Sequence, residues 1–194
     1  MKPARRSRPA NGPARARCSP RKIIVQVAVS ADGYIARPDG NVDWLDRPMP
    51  KGGYGLAAFA RSIDTILWGR KTYDFAVKMG GLGPFGKIKH YGFSRRPPAD
   101  PLPGMEFVTE PIPEFAARLR AAPGKNIWMM GGAGIIASFL DAGAIGEFSL
   151  HVIPVLIGEG IPLVAPCHRN LPLALIATRA FPDGVVHLHY RVAR

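Results

Sequence analysis

The 194-residue chain is 47% hydrophobic and 21% charged, the balance of one globular domain with room for a sizeable core. Its 26 Lys and Arg against 14 Asp and Glu give a net charge of +12, but eight of those cations lie without an acid in the first 22 residues, leaving about +4 for the remainder. No apolar run reaches the ~20 residues of a bilayer span. Two distant cysteines, Cys18 and Cys167, exclude a disulfide framework and a CxxC site.

In chain order, residues 1–21 read as a disordered basic tail with almost nothing apolar to bury. The tail lacks an apolar signal core, and Pro3, Pro9, Pro13 and Pro20 oppose the amphipathic helix of a transit peptide. A cytoplasmic location is therefore expected, with no membrane partner. The charge offers non-specific attraction to polyanions, not a specific nucleic-acid site.

The folded domain is expected over 22–194. KIIVQVAVS (22–30) is a β-branched run closed by Ala-Asp-Gly, a buried strand and turn. YGLAAFARSI reads as a helix, DTILWGR (64–70) as a second strand and KTYDFAVKM as a second helix. HYGFSRRPP and MEFVT are weaker strands; PEFAARLRAA is a helix, NIWMMGG a central-type strand and AGIIASFLDAG a fourth helix. FSLHVIPVLIG and the alternating VVHLHYRV complete the strands. Strands alternating with helices of about 8–12 residues predict an α/β domain whose central mixed sheet is mostly parallel, flanked by helices, with antiparallel C-terminal strands. Two irregular segments, 36–55 and 80–89, are long enough to be functional. His187 and His189 fall on one face of the last strand, but no third residue has metal-ligand spacing, so no metal site is expected.

The glycines carry the chemistry. In WMMGGAGIIASFL, Gly131, Gly132 and Gly134 stand where a strand hands over to a helix. A helix N-terminus offers unpaired N–H groups and a positive dipole end, and glycine lets a pyrophosphate approach that backbone. The spacing is not that of GxGxxG. In ILWGRKTYD, Gly69, Arg70, Lys71 and Thr72 open a second helix with two cations and a hydroxyl suited to phosphate oxygens; the same residues would suit an exposed basic turn with Thr72 as cap. FSRRP sets Ser94, Arg95 and Arg96 at a third strand end. Three anion-ready strand ends suit a ligand with separated phosphates, such as NADP.

VSADGYIA, WGRKTYD, FSRR, MMGGAG and PVLIGEGIPL, in this order, resemble the dihydrofolate-reductase superfamily. The closer resemblance is to the C-terminal reductase domain of bifunctional riboflavin-biosynthesis deaminase-reductases and its stand-alone relatives, over residues 22–194. The resemblance implies a dihydrofolate-reductase-like fold, NADPH as hydride donor and a homodimer. It implies an oxidoreductase acting on a small carbonyl, imine or pterin-like substrate, resembling 5-amino-6-(5-phosphoribosylamino)uracil reductase. It places Gly69, Arg70, Lys71 and Thr72 on the phosphates from one side and Gly131, Gly132, Ala133 and Gly134 on the pyrophosphate from the other. Ser94 and Arg95 would read the 2′-phosphate. Ala28, Ile35 and the Ser30–Gly33 turn would lie against the nicotinamide. Asp32 falls where riboflavin reductases carry an aspartate at the substrate, the candidate catalytic residue, although Asp-Gly is also a common turn pair.

A protonating group is required beside the hydride donor, with Asp32, Asp43 or a bound water as candidates. Ser30, Trp44, Tyr54 and Phe59 are candidate substrate contacts. Folate reductases carry an acid on the helix before the GRKT strand; here the corresponding positions, Ala57 and Ala58 included, are uncharged, which argues against folate reduction. The zinc-binding deaminase half is not found in this sequence. The competing expectations are a non-catalytic NADP(H)-binding protein, which the missing helix acid favours, and a polyanion-binding protein using the tail.

Overall fold

The computed structural model describes residues 20–85, 88–167 and 170–193; most of the basic tail lies outside them. Strand β1 (Ile23–Ser30) is followed by the short β2 (Tyr34–Ala36), a 3-10 turn (Asp43–Leu45) and α1 (Leu56–Ser62). Then come β3 (Ile63–Gly69), α2 (Arg70–Lys78), β4 (Lys89–Phe93), β5 (Met105–Val108) and α3 (Ile112–Ala121). The C-terminal part holds β6 (Asn126–Gly131), α4 (Ala133–Asp141), β7 (Ile145–Ile153), β8 (Ile161–Pro162), β9 (Leu173–Ala180) and β10 (Val186–Val192).

Eight strands form one sheet in the order β5-β4-β3-β6-β1-β7-β10-β9, and β2 pairs β8 separately. The pairs from β5 through β7 are parallel, while β10 runs antiparallel to both β7 and β9. The expected mixed sheet with antiparallel C-terminal strands is the observed one. Alternation assigns the faces. On one face, Val25, Met129, Phe148 and Leu150 pack with Phe115 and Leu119 of α3 and Ile136 and Phe139 of α4. On the other, Ile66, Trp68 and Trp128 pack with Phe59 of α1 and Tyr73 of α2.

The structure departs from the sequence reading at Arg21, at the end of β7 and at β9, and it adds the short β2 and β8. Arg21, assigned to the tail, is buried: its guanidinium pairs with Asp64, donates to Thr65 Oγ1 (2.7 Å) and to the Lys125 carbonyl (2.5 Å). Strand β7 stops at Ile153 because Pro154 has no N–H for the ladder. Strand β9 was not anticipated. Its sequence LALIATRA is rich in Leu and Ala, good helix formers, and only pairing with β10 makes it a strand. No helix among the described residues is long and apolar enough to cross a membrane.

Candidate functional site

The chain leaves β3 for β4 and β5 on one side and leaves β6 for β7 on the other, with α2 and α4 on opposite faces. The carboxyl ends of β3 and β6, which are neighbours, therefore form a topological switch point, where open α/β sheets bind ligands. Gly69 ends β3 and is the N-cap of α2; Gly132 follows β6 and is the N-cap of α4. Neither helix has a side-chain cap, so Thr72 is not the cap of α2. The first-turn N–H groups of both helices are without side-chain acceptors where their positive ends converge.

The glycines here serve different purposes. Gly131 has φ +118°, a region that L side chains rarely adopt, and its peptide to Gly132 is cis. A Cβ on Gly69 would lie 3.1 Å from the Gly131 carbonyl oxygen and the Gly132 nitrogen, and one on Gly132 would lie 3.3 Å from Thr72 Oγ1. Those two glycines let one turn pack on the other. Gly134, in the first turn of α4, is exposed, and a Cβ there would meet nothing within 4 Å. Its bare face opens on solvent at the α4 N-terminus, next to the buried Ala133.

Cations surround this crevice. Arg70 Nε donates to both Asp74 oxygens (2.8 and 2.9 Å), and its Nη1 donates to the Arg96 carbonyl (2.5 Å), tying α2 to the loop after β4. Ser94 Oγ closes that loop on itself, accepting from Arg96 N (3.0 Å) and donating to Arg96 O (2.8 Å). Arg70 and Ser94 thus shape the loop. Lys71 and Arg95 are exposed and pair with no carboxylate among the described residues, free to meet an anion.

Beside the crevice, Ser30 and Asp32 behave unlike substrate contacts. Ser30 is buried; its hydroxyl donates to Asp32 Oδ1 (2.5 Å) and accepts from Tyr34 N (3.0 Å). Asp32 Oδ2 accepts from the backbone N–H groups of Ile157 (3.0 Å) and Gly158 (2.8 Å). The Ser30 hydrogen bond leads in lowering the Asp32 pKa, against some desolvation. This carboxylate stays ionised and straps the β7–β8 loop to the β1–β2 turn, so a proton-donating role finds no support in its geometry. Asp43 is likewise held by Arg37 (2.6 and 3.1 Å), whose hydrogen bond lowers its pKa.

Ala28, Trp44 and Tyr54 come together around Ile153, Phe181 and Val185. Trp44 Nε1 is buried and has no hydrogen-bond partner among the described residues, an orphaned donor in that apolar wall. Tyr54 OH donates to Asp183 Oδ2 (2.5 Å), its carbonyl accepts from His151 Nε2 (3.0 Å), and its ring meets Phe181 edge-on at 5.1 Å. Arg47 Nη2 donates to the Asp183 carbonyl (2.7 Å). Phe59 lies elsewhere, edge-on to Trp128 at 5.4 Å, and Ile35 is half-buried on β2. The sequence reading missed His151, Phe181 and Asp183, since nothing in their local patterns ties them to Tyr54. His187 and His189 do share a face, 6.2 Å apart, but His187 pairs with Ser149 Oγ (2.8 Å) and His189 with Glu147 (3.0 Å).

The model of the RibD C-terminal domain matches residues 109–187, from the turn before α3 into β10. YwjB of Bacillus subtilis, an uncharacterized protein, is 37% identical over 170 residues, covering 88% of this chain and 97% of YwjB. The chain belongs to the RibD C-terminal domain family. Its fold is similar to that of a putative riboflavin biosynthesis protein from Shewanella sp. PV-4, with 27% identity, TM-score 0.80, and coverage of 89% of this chain and 99% of that one. It also resembles dihydrofolate reductase from Enterococcus faecalis complexed with NADP(H), at 15% identity and TM-score 0.65, over 89% of this chain and 97% of that one. The RibD-type fold is therefore dihydrofolate-reductase-like. The family match covers the glycine turn of β6–α4, whereas Gly69–Thr72 and Asp32 precede it.

Proposed function

We propose that this protein is an NADPH-dependent reductase delivering hydride to a small carbonyl, imine or pterin-like substrate, in the manner of 5-amino-6-(5-phosphoribosylamino)uracil reductase. One observation carries the reading: two uncapped helix N-termini meet at the switch point, and Gly134 leaves one of them bare toward open space. Converging positive ends favour an anion between them. NADPH, when bound, supplies the hydride; the chain's own residues bind and orient the cofactor and the substrate. The first-turn N–H groups of α4 would receive pyrophosphate oxygens, with the α2 turn opposite. Lys71 and Arg95 would meet the 2′-phosphate on a loop fixed by Arg70 and Ser94. Ala28 and Ile35 would lie against the nicotinamide.

Trp44, Tyr54 and Phe181 would form the substrate wall, holding the acceptor in reach of the donor, a source of several kcal/mol of rate enhancement. The Trp44 N–H, having no partner among the described residues, would hydrogen-bond a polar atom of the substrate. With Asp32 and Asp43 held ionised and no acid in the α1 sequence LAAFARS, the proton would come from water.

The test is a titration of NADPH and NADH followed by tryptophan quenching, on the wild type and on Gly134→Ala. Alanine adds a methyl group into open space and favours the helix by up to about 1 kcal/mol, so thermal stability should hold or rise. NADPH affinity should fall by about tenfold or more, the 1.4 kcal/mol that one obstructed phosphate contact implies. Unchanged affinity would remove the cofactor from this crevice. The lack of a side-chain proton donor favours a second reading, a non-catalytic NADP(H)-binding protein. NADPH binding without NADPH oxidation across a panel of carbonyls, imines and pterins would select it.

A further inference from the structure

We propose that a cavity at the amino ends of β1 and β6 is a binding site for a small free carboxylic acid, held by Arg120. The cavity measures about 220 Å³. Arg21 and Arg120 line it, its walls include Pro20, Ala121 and Pro123, and no acid among the described residues borders it. Arg120 stands in the last turn of α3, and the chain then turns through Pro123 and Gly124 into β6. The Arg120 carbonyl accepts from Arg21 N (3.3 Å), joining the end of α3 to the start of β1. Gly124, with φ +154°, lays its bare face on the Arg21–Asp64 pair. A Cβ there would come 2.5 Å from Asp64 Oδ2 and 3.0 Å from Arg21 Cζ.

The two arginines differ in what they have left to give. Arg21 is 7% exposed, and its charge is paired with Asp64; its Nε donates to the Lys125 carbonyl (2.5 Å) and its Nη1 to the Leu119 carbonyl (3.4 Å). Asp64 is occupied in turn, accepting also from Thr65 Oγ1 (2.8 Å) and Lys125 N (2.8 Å). Arg120 pairs with no carboxylate among the described residues, and its buried Nε has no hydrogen-bond partner there. Folding has taken that donor from water without a replacement. A water would satisfy the N–H and leave the charge uncompensated. A carboxylate does both, taking Nε and the neighbouring Nη in one side-on fork. The single uncompensated charge matches a monoanion. A doubly charged phosphate would leave surplus negative charge beside the carbonyl-rich end of α3. Proline and alanine walls suit a short hydrocarbon stem, and the volume falls below the ~300 Å³ at which pockets for drug-sized ligands begin. The crevice lies at the other end of the parallel strands, the length of β6 away, roughly 20 Å at ~3.3 Å per residue. The two sites share no residue, so this assignment and the cofactor reading can fail separately.

Propionate is the probe. In proton–nitrogen spectra of the full chain without nucleotide, one arginine Nε–H signal, the one missing from Arg120→Lys, should move saturably as propionate is added. The Gly124 amide should move with it and serves to follow the variants. Arg120→Lys keeps the charge but not the fork, and should bind about tenfold more weakly or worse. Ala121→Leu fills the cavity with both arginines in place and should lose binding by about as much; it repeats the test should the lysine variant not fold. Arg118→Lys, exposed on the same helix and paired with Glu110, should bind as the wild type does. At matched ionic strength phosphate and chloride should bind at least about tenfold more weakly than propionate, and neutral propionamide not at all. An unmoved Arg120 signal, affinity that survives Arg120→Lys or Ala121→Leu, or phosphate or chloride binding as tightly as propionate would each overturn the assignment.

Discussion

At Asp32 three donors converge on one half-buried carboxylate, and that changes what the residue can do. A side chain that accepts from Ser30, Ile157 and Gly158 is a fastening; with its pKa lowered it has no proton to give at neutral pH. Asp32→Ala should therefore speed hydrogen exchange at the Ile157 and Gly158 amides while leaving the core of the sheet protected. Unchanged exchange at those two amides would contradict the fastening. Arg70 also acts through its neighbours, since both ends of its guanidinium are occupied by Asp74 and Arg96. We expect Arg70→Ala to weaken NADPH binding severalfold by releasing the Arg95 loop, with the thermal midpoint little moved. Arg21 is the reverse case, a stability residue read from sequence as tail. Arg21→Ala would take the buried cation away from Asp64 and its donors away from Thr65 Oγ1 and the Lys125 carbonyl, although Asp64 keeps the Thr65 hydroxyl and the Lys125 amide; the cost should be on the order of 2 kcal/mol, measurable as a lower urea midpoint with an unchanged slope.

Among the elements, the glycine turns were the most legible and the β9 edge the least. A Gly-rich break between a short apolar run and an amphipathic one announces a strand-to-helix turn, and both such turns appear where expected, at Gly69 and Gly131–Gly134. The sequence could not divide the labour among those glycines. That Gly69 and Gly132 admit one another's turns, and only Gly134 faces open space, depends on β3 and β6 being neighbours, about sixty residues apart in the chain. Gly160 shows the same dependence: a Cβ there would come within 2.3 Å of the Ala36 carbonyl oxygen. Gly160→Ala should open the β2–β8 ribbon and cost about 1–3 kcal/mol, seen as lost amide protection at Leu163, which donates to the Gly33 carbonyl (3.1 Å). Retained protection there would show that the ribbon adjusts.

At the scale of the whole molecule, acid sensitivity is built into the buried histidines. Burial lowers the pKa of His90 and His151. Desolvation, then the charges of His151, His189 and Arg179, pushes His187 down to about 4. His151 and His187 stack at 4.5 Å, where two positive rings would repel. Because these folded pKa values lie below the unfolded value near 6.5, the unfolded chain binds more protons on acidification. Their stabilisation is complete above about pH 6.5 and is lost progressively as pH falls, for His187 down to about pH 4. Carboxylates act in the same direction at lower pH. At Glu147 desolvation opposes ionisation, but hydrogen bonds from Lys22 and His189 outweigh it and lower the pKa. Urea unfolding between pH 7.5 and 4.5 should show the midpoint falling by the equivalent of on the order of 2 kcal/mol. His187→Gln should flatten that slope; a variant as acid-sensitive as the wild type would exclude His187 as a source.

Periodicity, turn chemistry and composition by themselves determined the α/β class, the four helices, the antiparallel end of the sheet and the positions of the glycine turns. These are local properties: apolar spacing, Gly and Pro placement and helix propensity act over a few residues. Tertiary structure decided what depends on distant partners. It made LALIATRA a strand by pairing it with β10, buried Arg21 against Asp64, and left Trp44 Nε1 without an acceptor. It also set His151 and Asp183 around Tyr54 and bound both candidate acids to other groups. Alternation marks a strand but not its partner, so the crevice, its occupied carboxylates and the open edge of the sheet became legible only when the sheet was assembled.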